Sequence, residues 1–510
     1  LVRYDDGRQV IYTDSGGTYT APVGNANTLT HNGDGTWSLT FPSGEHWDYN
    51  TDGILQKRTS ADGQTVTVSH DANGQVTSAA AKNAAGATDG SLSFAYDGAD
   101  QYLTGVTAAD GRAVSYTVSG GALNSATDVD GHVWQYATDG FGRITSEIDP
   151  SGVTLVTNVY DDNGRVYSQT AAGGTVTKFV YDAGAGTTTV TDAATNKSLT
   201  YAYDKTGNVT KVTDPLSKNA TNTYTNGYLS SATDRNGVTF KADYDSAGNL
   251  LWFRDPGKTN SSNASDPNAG RVTYTYDSQN RPLTETSPSG AETVFAYTGS
   301  NPQPDSITVE DSGGTTIAQS LYTYDGQGRV TQVTDPDGVV TTYSGYNAQG
   351  EPGDVTVGGR ATAYTYDAHG NVSTEIDPAG YETDYTYNSS GQVLAKTGPF
   401  ASGDSNPIVT SYTYDDAGRL LTTTGPAFQN DSTKPVTTNT YNTSGQLVDV
   451  EGPGGEHTTY TYDTDGRRKT TTDPLGGVTS VTYGDLGRVS QVADPLGLVT
   501  SYGYDSNGQR

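Results

Sequence analysis

The sequence contains no cysteine and no methionine in 510 residues. Disulfide staples, thiol nucleophiles and thiolate metal sites are thereby excluded. The lack of cysteine is compatible with export from a bacterium, although no signal peptide is visible. Basic residues are also scarce: Lys and Arg number 29 against 58 Asp and Glu, for a formal net charge of -29. Such a chain lacks the basic clusters that phosphates require, so nucleic acid is excluded as a partner. No stretch approaches the length of an apolar membrane span. Hydrophobic residues make up only 32%, and mean hydropathy is -0.60. Composition alone would point towards disorder. The chain opens at Leu1 and closes in mid-phrase at "YDSNGQR", so a fragment of a longer polypeptide is expected.

What the sequence does have is tyrosine, 36 of them, at regular intervals. Tyr160, Tyr181, Tyr203, Tyr224 and Tyr244 follow one another at 21, 22, 21 and 20 residues. Tyr441, Tyr462, Tyr483 and Tyr504 are spaced by 21 each time. Between them lie Tyr276, Tyr297, Tyr324, Tyr346, Tyr366, Tyr387 and Tyr414, and weaker copies centre on Tyr49, His70, Tyr96, Tyr116 and Tyr136. These make 21 copies of one unit. A repeat of this period overrides any division of the length into ordinary globular domains.

Each full copy reads as two strands and two turns. "VTYTYD" at 272–277 places Val272, Tyr274 and Tyr276 on one face and Thr273, Thr275 and Asp277 on the other. That alternation, in β-branched and aromatic residues, predicts a half-buried strand. Asp325 to Gly328 follows the pattern Asp-x-x-Gly of a type I turn. In the second run, "RVTQVT", Val330 and Val333 cannot share a face of an ideal strand, so a bulge or an early strand end is expected. The run closes on Asp335-Pro336-Asp337-Gly338, again with type I chemistry, and the form recurs at Asp149, Asp377, Asp473 and Asp494. These aspartates are therefore read as backbone acceptors in turns rather than as a site. A single unit cannot bury enough surface to stand alone, so neighbours must stack. The expected fold is all-β, an array of antiparallel hairpins joined into one continuous spiral sheet. At two strands per copy it would hold about 42 strands and form a curved, incomplete shell or solenoid. Four stretches, 79–90, 255–270, 398–407 and 425–435, carry extra residues at the second turn and are expected as long loops on one sheet edge.

The phrase Tyr-x-Tyr-Asp-x-x-Gly-Arg-Val/Leu, then Asp-Pro-x-Gly, resembles the YD repeat of the Rhs family, and "YTYDSQNRP", "YTYDAHGNV", "YTYDDAGRL" and "YTYDTDGRR" carry it. The resemblance covers nearly the whole chain from about Tyr49, and 29–55 is similar to the lead-in that precedes such repeats. The family includes Rhs polymorphic toxins, wall-associated toxins, Tc toxin cocoon components and teneurins. The resemblance implies a β-sheet wound into a hollow shell that, in bacterial members, commonly encloses a C-terminal toxin. The core that closes such shells and carries their self-cleaving aspartates has no counterpart here, so no catalytic residue carries over. Two domains follow: a lead-in β segment at 1–48 and a YD-repeat shell at 49–510.

Other chemistry is thin. No nucleophile elbow, zincin, P-loop or dinucleotide fingerprint occurs. His31, His46, His70, His132, His369 and His457 are scattered without metal-ligand spacing, and His70 and His369 stand where the repeat has Tyr or a turn residue. Asp128, Asp335 and Asp463 each open an Asp-x-Asp-Gly string but lack the distal Glu of a calcium loop. Trp37, Trp47, Trp134 and Trp252 are read as core or end-capping residues before sugar platforms. We therefore expect no catalytic, cofactor-binding or metal residues, no cofactor and no enzymatic activity. The function expected is a structural shell that encloses or presents its own C-terminal core, a toxin or another polypeptide, either secreted or on the bacterial cell surface. The alternative is an extracellular adhesion scaffold that binds a cell-surface glycan or protein.

Overall fold

The computed structural model describes the chain except for residues 5–8, 23–24, 62, 85, 100–101, 255–269, 300, 348, 402–407, 428–432, 485–486 and 505–510. The described residues form 47 β-strands and no α-helix. Forty-five strands, from Thr13–Asp14 to Val499–Ser501, belong to one long antiparallel sheet that does not close on itself. Val2–Arg3 and Gln9–Val10 form a separate two-stranded sheet. The strand number slightly exceeds the 42 expected because the segment before Tyr49 also folds into hairpins, Thr28–His31 with Trp37–Thr40 and Trp37–Thr40 with His46–Tyr49.

The alternation written in the sequence becomes the two faces of the sheet. In strand Arg271–Tyr276 the side chains of Val272, Tyr274 and Tyr276 are half-buried, whereas Thr273 and Thr275 are exposed. The expected bulge is present. Thr323 pairs with Gln332 and Tyr324 with Val330, so Thr331 is the extra residue. Tyr322 meanwhile pairs with Val333. The bulge thus brings both valines opposite tyrosines on one face, where rings and β-branched side chains pack across strands. The same shift occurs at Tyr160, Tyr276, Tyr414, Tyr441, Tyr462 and Tyr483. His70 pairs with Val76 beside its own bulge, so it stands in the tyrosine position, as expected.

Both turn types close in the same way. The Asp325 N–H donates to the Arg329 carbonyl at 2.9 Å, and the Gly328 N–H to the Asp325 carbonyl at 3.0 Å. Asp335 with Val339, and Gly338 with Asp335, repeat both bonds at 3.0 Å. The pattern demands a left-handed residue at the fourth position, and Gly328 and Gly338 have φ of 77° and 79°. A Cβ on Gly328 would meet nothing within 4 Å, so a side chain there is opposed only by backbone conformation. Gly328→Val is therefore expected to cost about 1–2 kcal/mol, while Gly328→Asn should cost less, because Asn280 holds the equivalent position at φ 61°. Urea melts of the two variants check this; equal midpoints would remove the conformational argument.

The chain forms two compact units. One comprises Leu1–Phe94, Thr107–Ala109 and Ala220–Tyr364; the other comprises Ala95–Val106, Asp110–Asn219 and Thr365–Arg510. The first holds the best-packed apolar cluster: Val2, Tyr4, Tyr12, Leu39 and Trp47, with Phe41, Tyr49 and Leu55 against it. Leu39 is fully buried. Trp47 therefore belongs to a core, in line with the expectation from sequence.

The loop expectation needs correction at 79–90. Strands Val76–Lys82 and Thr88–Tyr96 run on to a tight turn in which the Gly86 N–H meets the Asn83 carbonyl at 2.8 Å. The extra residues lengthen a hairpin, because small and β-competent side chains gain ladder hydrogen bonds by pairing. Most of 255–270 and 398–407, and the middle of 425–435, lie outside the described residues.

Candidate functional site: the aspartate turns and the tyrosine ladder

The Asp325 carboxylate is wholly engaged in its own turn. Oδ1 accepts the backbone N–H groups of Gln327 at 2.9 Å and Arg329 at 3.0 Å, and Oδ2 accepts Arg329 Nε at 2.7 Å. Asp335 Oδ1 likewise accepts from Asp337 at 3.0 Å and Val339 at 2.8 Å. Asp128 and Asp463, which open the strings compared with calcium loops, accept the same pair of backbone donors. Their geometry is that of a side chain capping a turn. Among the described residues, no group of three or more His, Cys, Asp or Glu side chains is placed to hold a metal ion.

The arginine carries the wiring to the next repeat. The guanidinium of Arg329 lies 4.4 Å over the ring of Tyr346, and the Tyr346 hydroxyl donates to the Val330 carbonyl. Arg143 over Tyr160 at 4.5 Å, Arg165 over Tyr181 at 4.4 Å and Arg467 over Tyr483 at 4.6 Å repeat the stacking. The hydroxyls of Tyr160, Tyr441 and Tyr483 reach the carbonyls of Ile144, Leu420 and Arg468 at 2.7, 2.9 and 2.8 Å. Thus Asp holds Arg, Arg covers the following Tyr, and that Tyr bonds back to the strand after Arg. Each phenol buries its ring and satisfies its polar tip.

Burial pushes the Asp325 carboxyl up, but hydrogen bonds from the Arg329 side chain and from the Arg329 and Gln327 backbones outweigh it and hold the group below the ordinary carboxylate range. Asp161 is held low chiefly by the Arg165 backbone N–H, and Asp139 chiefly by the Arg143 side chain. Asp204, hydrogen-bonded first by Thr206, falls to about 2. A depressed folded pKa gives stability that is complete above the unfolded value and is lost as pH falls through the folded one. The melting temperature is therefore expected to drop between about pH 4 and pH 2, because many turns protonate together. A melt series in which Tm stays flat down to pH 2 would contradict this.

In the second unit, turns far apart in sequence meet edge to edge. Arg419 Nη2 donates to Ser151 Oγ at 3.0 Å, and Ser444 Oγ to the Ala172 carbonyl at 2.9 Å. Ser390 Oγ reaches Asp130, and His132 Nε2 lies 4.0 Å from Asp416. Asp-Pro-type turns of the earlier stretch thus abut Tyr-Asp-type turns of the later one. Asp149, at the centre of this seam, is only 5% exposed. In the first unit Asn280 Nδ2 donates to the Pro42 carbonyl at 2.9 Å in the same fashion.

The remaining sequence candidates do not converge. His369 sits in its turn with its N–H on Asp367 at 2.8 Å, and His457 Nδ1 lies 2.9 Å from Asp449. Trp252 is covered by Arg271 at 3.6 Å and Trp47 by Arg58 at 4.3 Å. Trp37 lines a cavity together with Tyr12, Tyr19 and Tyr49. The arginine–tyrosine stacking and the seam escaped the sequence reading. The first had a signal, the recurrent Arg four residues after Asp; the second had none.

The family model described as Teneurin YD-shell matches residues 134–317 and 410–509, just over half of the chain. The chain belongs to the teneurin YD-shell family. Overlapping matches to the RHS repeat model run through 307–340, 324–358, 346–382 and 366–402. Among solved structures, this YD-shell chain is similar to TcdB2-TccC3, at 12% identity and TM-score 0.40, over 98% of this chain and 34% of that one. It is also similar to a Photorhabdus luminescens Tc holotoxin pore, at 15% identity and TM-score 0.29, over 89% of this chain and 30% of that one. The YD-shell chain thus spans about a third of the length of these neighbours. No curated protein matches it. Among the described residues no helix is long and apolar enough to cross a membrane.

Proposed function

We propose that this chain is the wall of a YD shell that encloses or presents a polypeptide effector, such as a toxin region borne C-terminal to it. The observation that carries the reading is the wiring itself. Turn carboxylates, arginines and tyrosine hydroxyls are engaged in holding repeat to repeat, which suits a structural rather than a catalytic role. Thr is the commonest residue at the exposed positions of the strands, and a polar lining holds an unfolded chain without adhering to it. In this reading residues 1–48 form the lead-in and 49–510 the wall, the protein works secreted or at a bacterial cell surface, and its partner is the enclosed polypeptide.

Limited proteolysis tests it. A reporter polypeptide fused after Arg510 should survive protease at least tenfold longer than the free reporter, and the advantage should shrink in an Arg419→Ala variant that loosens the seam. Equal survival of fused and free reporter would overturn enclosure. Binding of the intact chain to cells with an unprotected reporter would favour the adhesion scaffold instead.

A further inference from the structure

Successive turns of an antiparallel meander alternate between its two edges. Within the second unit, each stretch therefore carries Tyr-Asp-type turns on one edge and Asp-Pro-type turns on the other. The seam uses the Asp-Pro edge of the earlier stretch and the Tyr-Asp edge of the later one. Each of its contacts involves the third residue of a turn: Ser390 meets Asp130, Arg419 meets Ser151 and Ser444 meets Ala172. Two edges of the unit are left over. On the Asp-Pro edge of the later stretch, the third residues of 473–476 and 494–497 are Leu475 and Leu496, 97% and 94% exposed. Tyr381, Ile408, Val436 and Leu498 are exposed along the same edge. On the Tyr-Asp edge of the earlier stretch, Phe141 is the third residue of 139–142 and is 86% exposed.

Large apolar side chains along an edge mark it as an interaction surface, the more so because the matching edge inside the seam presents Asp130, Ser151 and Ala172 instead. The contrast has a physical reason. The seam joins parts of one chain, so connectivity supplies a high effective concentration and small polar contacts suffice. An interface between separate molecules must also offset lost translational and rotational freedom, and apolar burial does so. The two edges left over carry the same pair of turn types that already fit each other in the seam. We propose that the leucine edge docks the Phe141 edge of a second copy of this chain, continuing the seam from molecule to molecule. Two different surfaces meet, so each copy keeps one edge open and association runs head to tail past the dimer. The inference does not rest on an enclosed polypeptide, so it stands or falls apart from the shell reading.

Sedimentation velocity of the whole chain, from about 1 to about 100 μM, tests the proposal. The weight-average mass is expected to rise with concentration and to pass that of a dimer. Leu475→Ser combined with Leu496→Ser removes one edge, and Phe141→Ser removes the other. Each variant should associate at least tenfold more weakly, with unchanged circular dichroism and Tm, because all three side chains are exposed. An equimolar mixture of the two variants retains one intact leucine edge and one intact Phe141 edge. It should therefore form a heterodimer as tightly as the unaltered chain associates, and stop there. A monomer at every concentration would overturn the proposal. So would association that either variant leaves intact, or a mixture that stays monomeric. Binding of a monomeric chain to phosphatidylcholine vesicles, lost in the leucine variant, would overturn it in favour of a membrane.

Discussion

Leu39→Ala is expected to destabilise the N-terminal region by about 2–5 kcal/mol, the range for a fully buried leucine whose surroundings cannot collapse into the gap. Leu39 is 0% exposed and packs in a cluster with Val2, Tyr4, Tyr12 and Trp47. Leu39 pairs with Leu29 on one side and Trp47 on the other, and the rings of Tyr4, Tyr12 and Trp47 that share its cluster are too rigid to fill the void. Because a repeat array is held by nearest-neighbour interfaces, the loss should stay local. Hydrogen exchange should accelerate in strands Trp37–Thr40 and His46–Tyr49 and remain unchanged in Thr316–Tyr324 of the same unit. Trp47 fluorescence would follow the same opening. Uniform acceleration across all three strands would show that the cluster is not a separate packing unit, and no acceleration anywhere would show that it contributes nothing.

Asp149→Ala should cost about 2–4 kcal/mol, more than the same change in any exposed turn. Asp149 Oδ1 accepts the Val153 N–H at 2.8 Å and the Ser151 hydroxyl at 2.7 Å, and that hydroxyl accepts from Arg419. Arg419 in turn binds Asp415 at 2.7 Å and covers Tyr441 at 4.9 Å. Asp149 and Val153 are 5% and 8% exposed, so water cannot replace the lost acceptor. Asp377 opens a turn of the same form and accepts Ala379 and Tyr381 at 2.8 and 2.9 Å. Tyr381, however, is 48% exposed, and water can serve its N–H. Asp377→Ala should therefore cost only about 1 kcal/mol. Thermal melts of the two variants decide the matter, and a double variant with Arg419→Ala measures the coupling through Ser151. Equal losses at Asp149 and Asp377 would mean that the seam does not shield its turns.

Much of the fold was legible because its bonds are short-range in sequence. Asp325 caps donors two and four residues away, Gly328 turns left-handed within the same loop, and the bulge at Thr331 follows from two valines three apart. A period of 21 residues repeated along the chain then fixes neighbour to neighbour. The arginine–tyrosine stacking lay one repeat further and could have been found by asking where each Arg four residues after Asp must point. The hairpin extension at 79–90 resembles a loop in sequence because alanine-rich segments give a weak strand signal.

The sequence by itself determined the hairpin, its two turns, its bulge and the family they identify, since each is set by contacts within a repeat or to the next one. Only the tertiary structure decided which turns are buried, which face of the N-terminal strands is covered, and that Ser151 meets Arg419 268 residues away. Those outcomes depend on twist summed over many hairpins, each rotated slightly against the last. A small angle per strand is invisible in any one repeat, yet over a dozen repeats it decides whether an aspartate faces water or another turn.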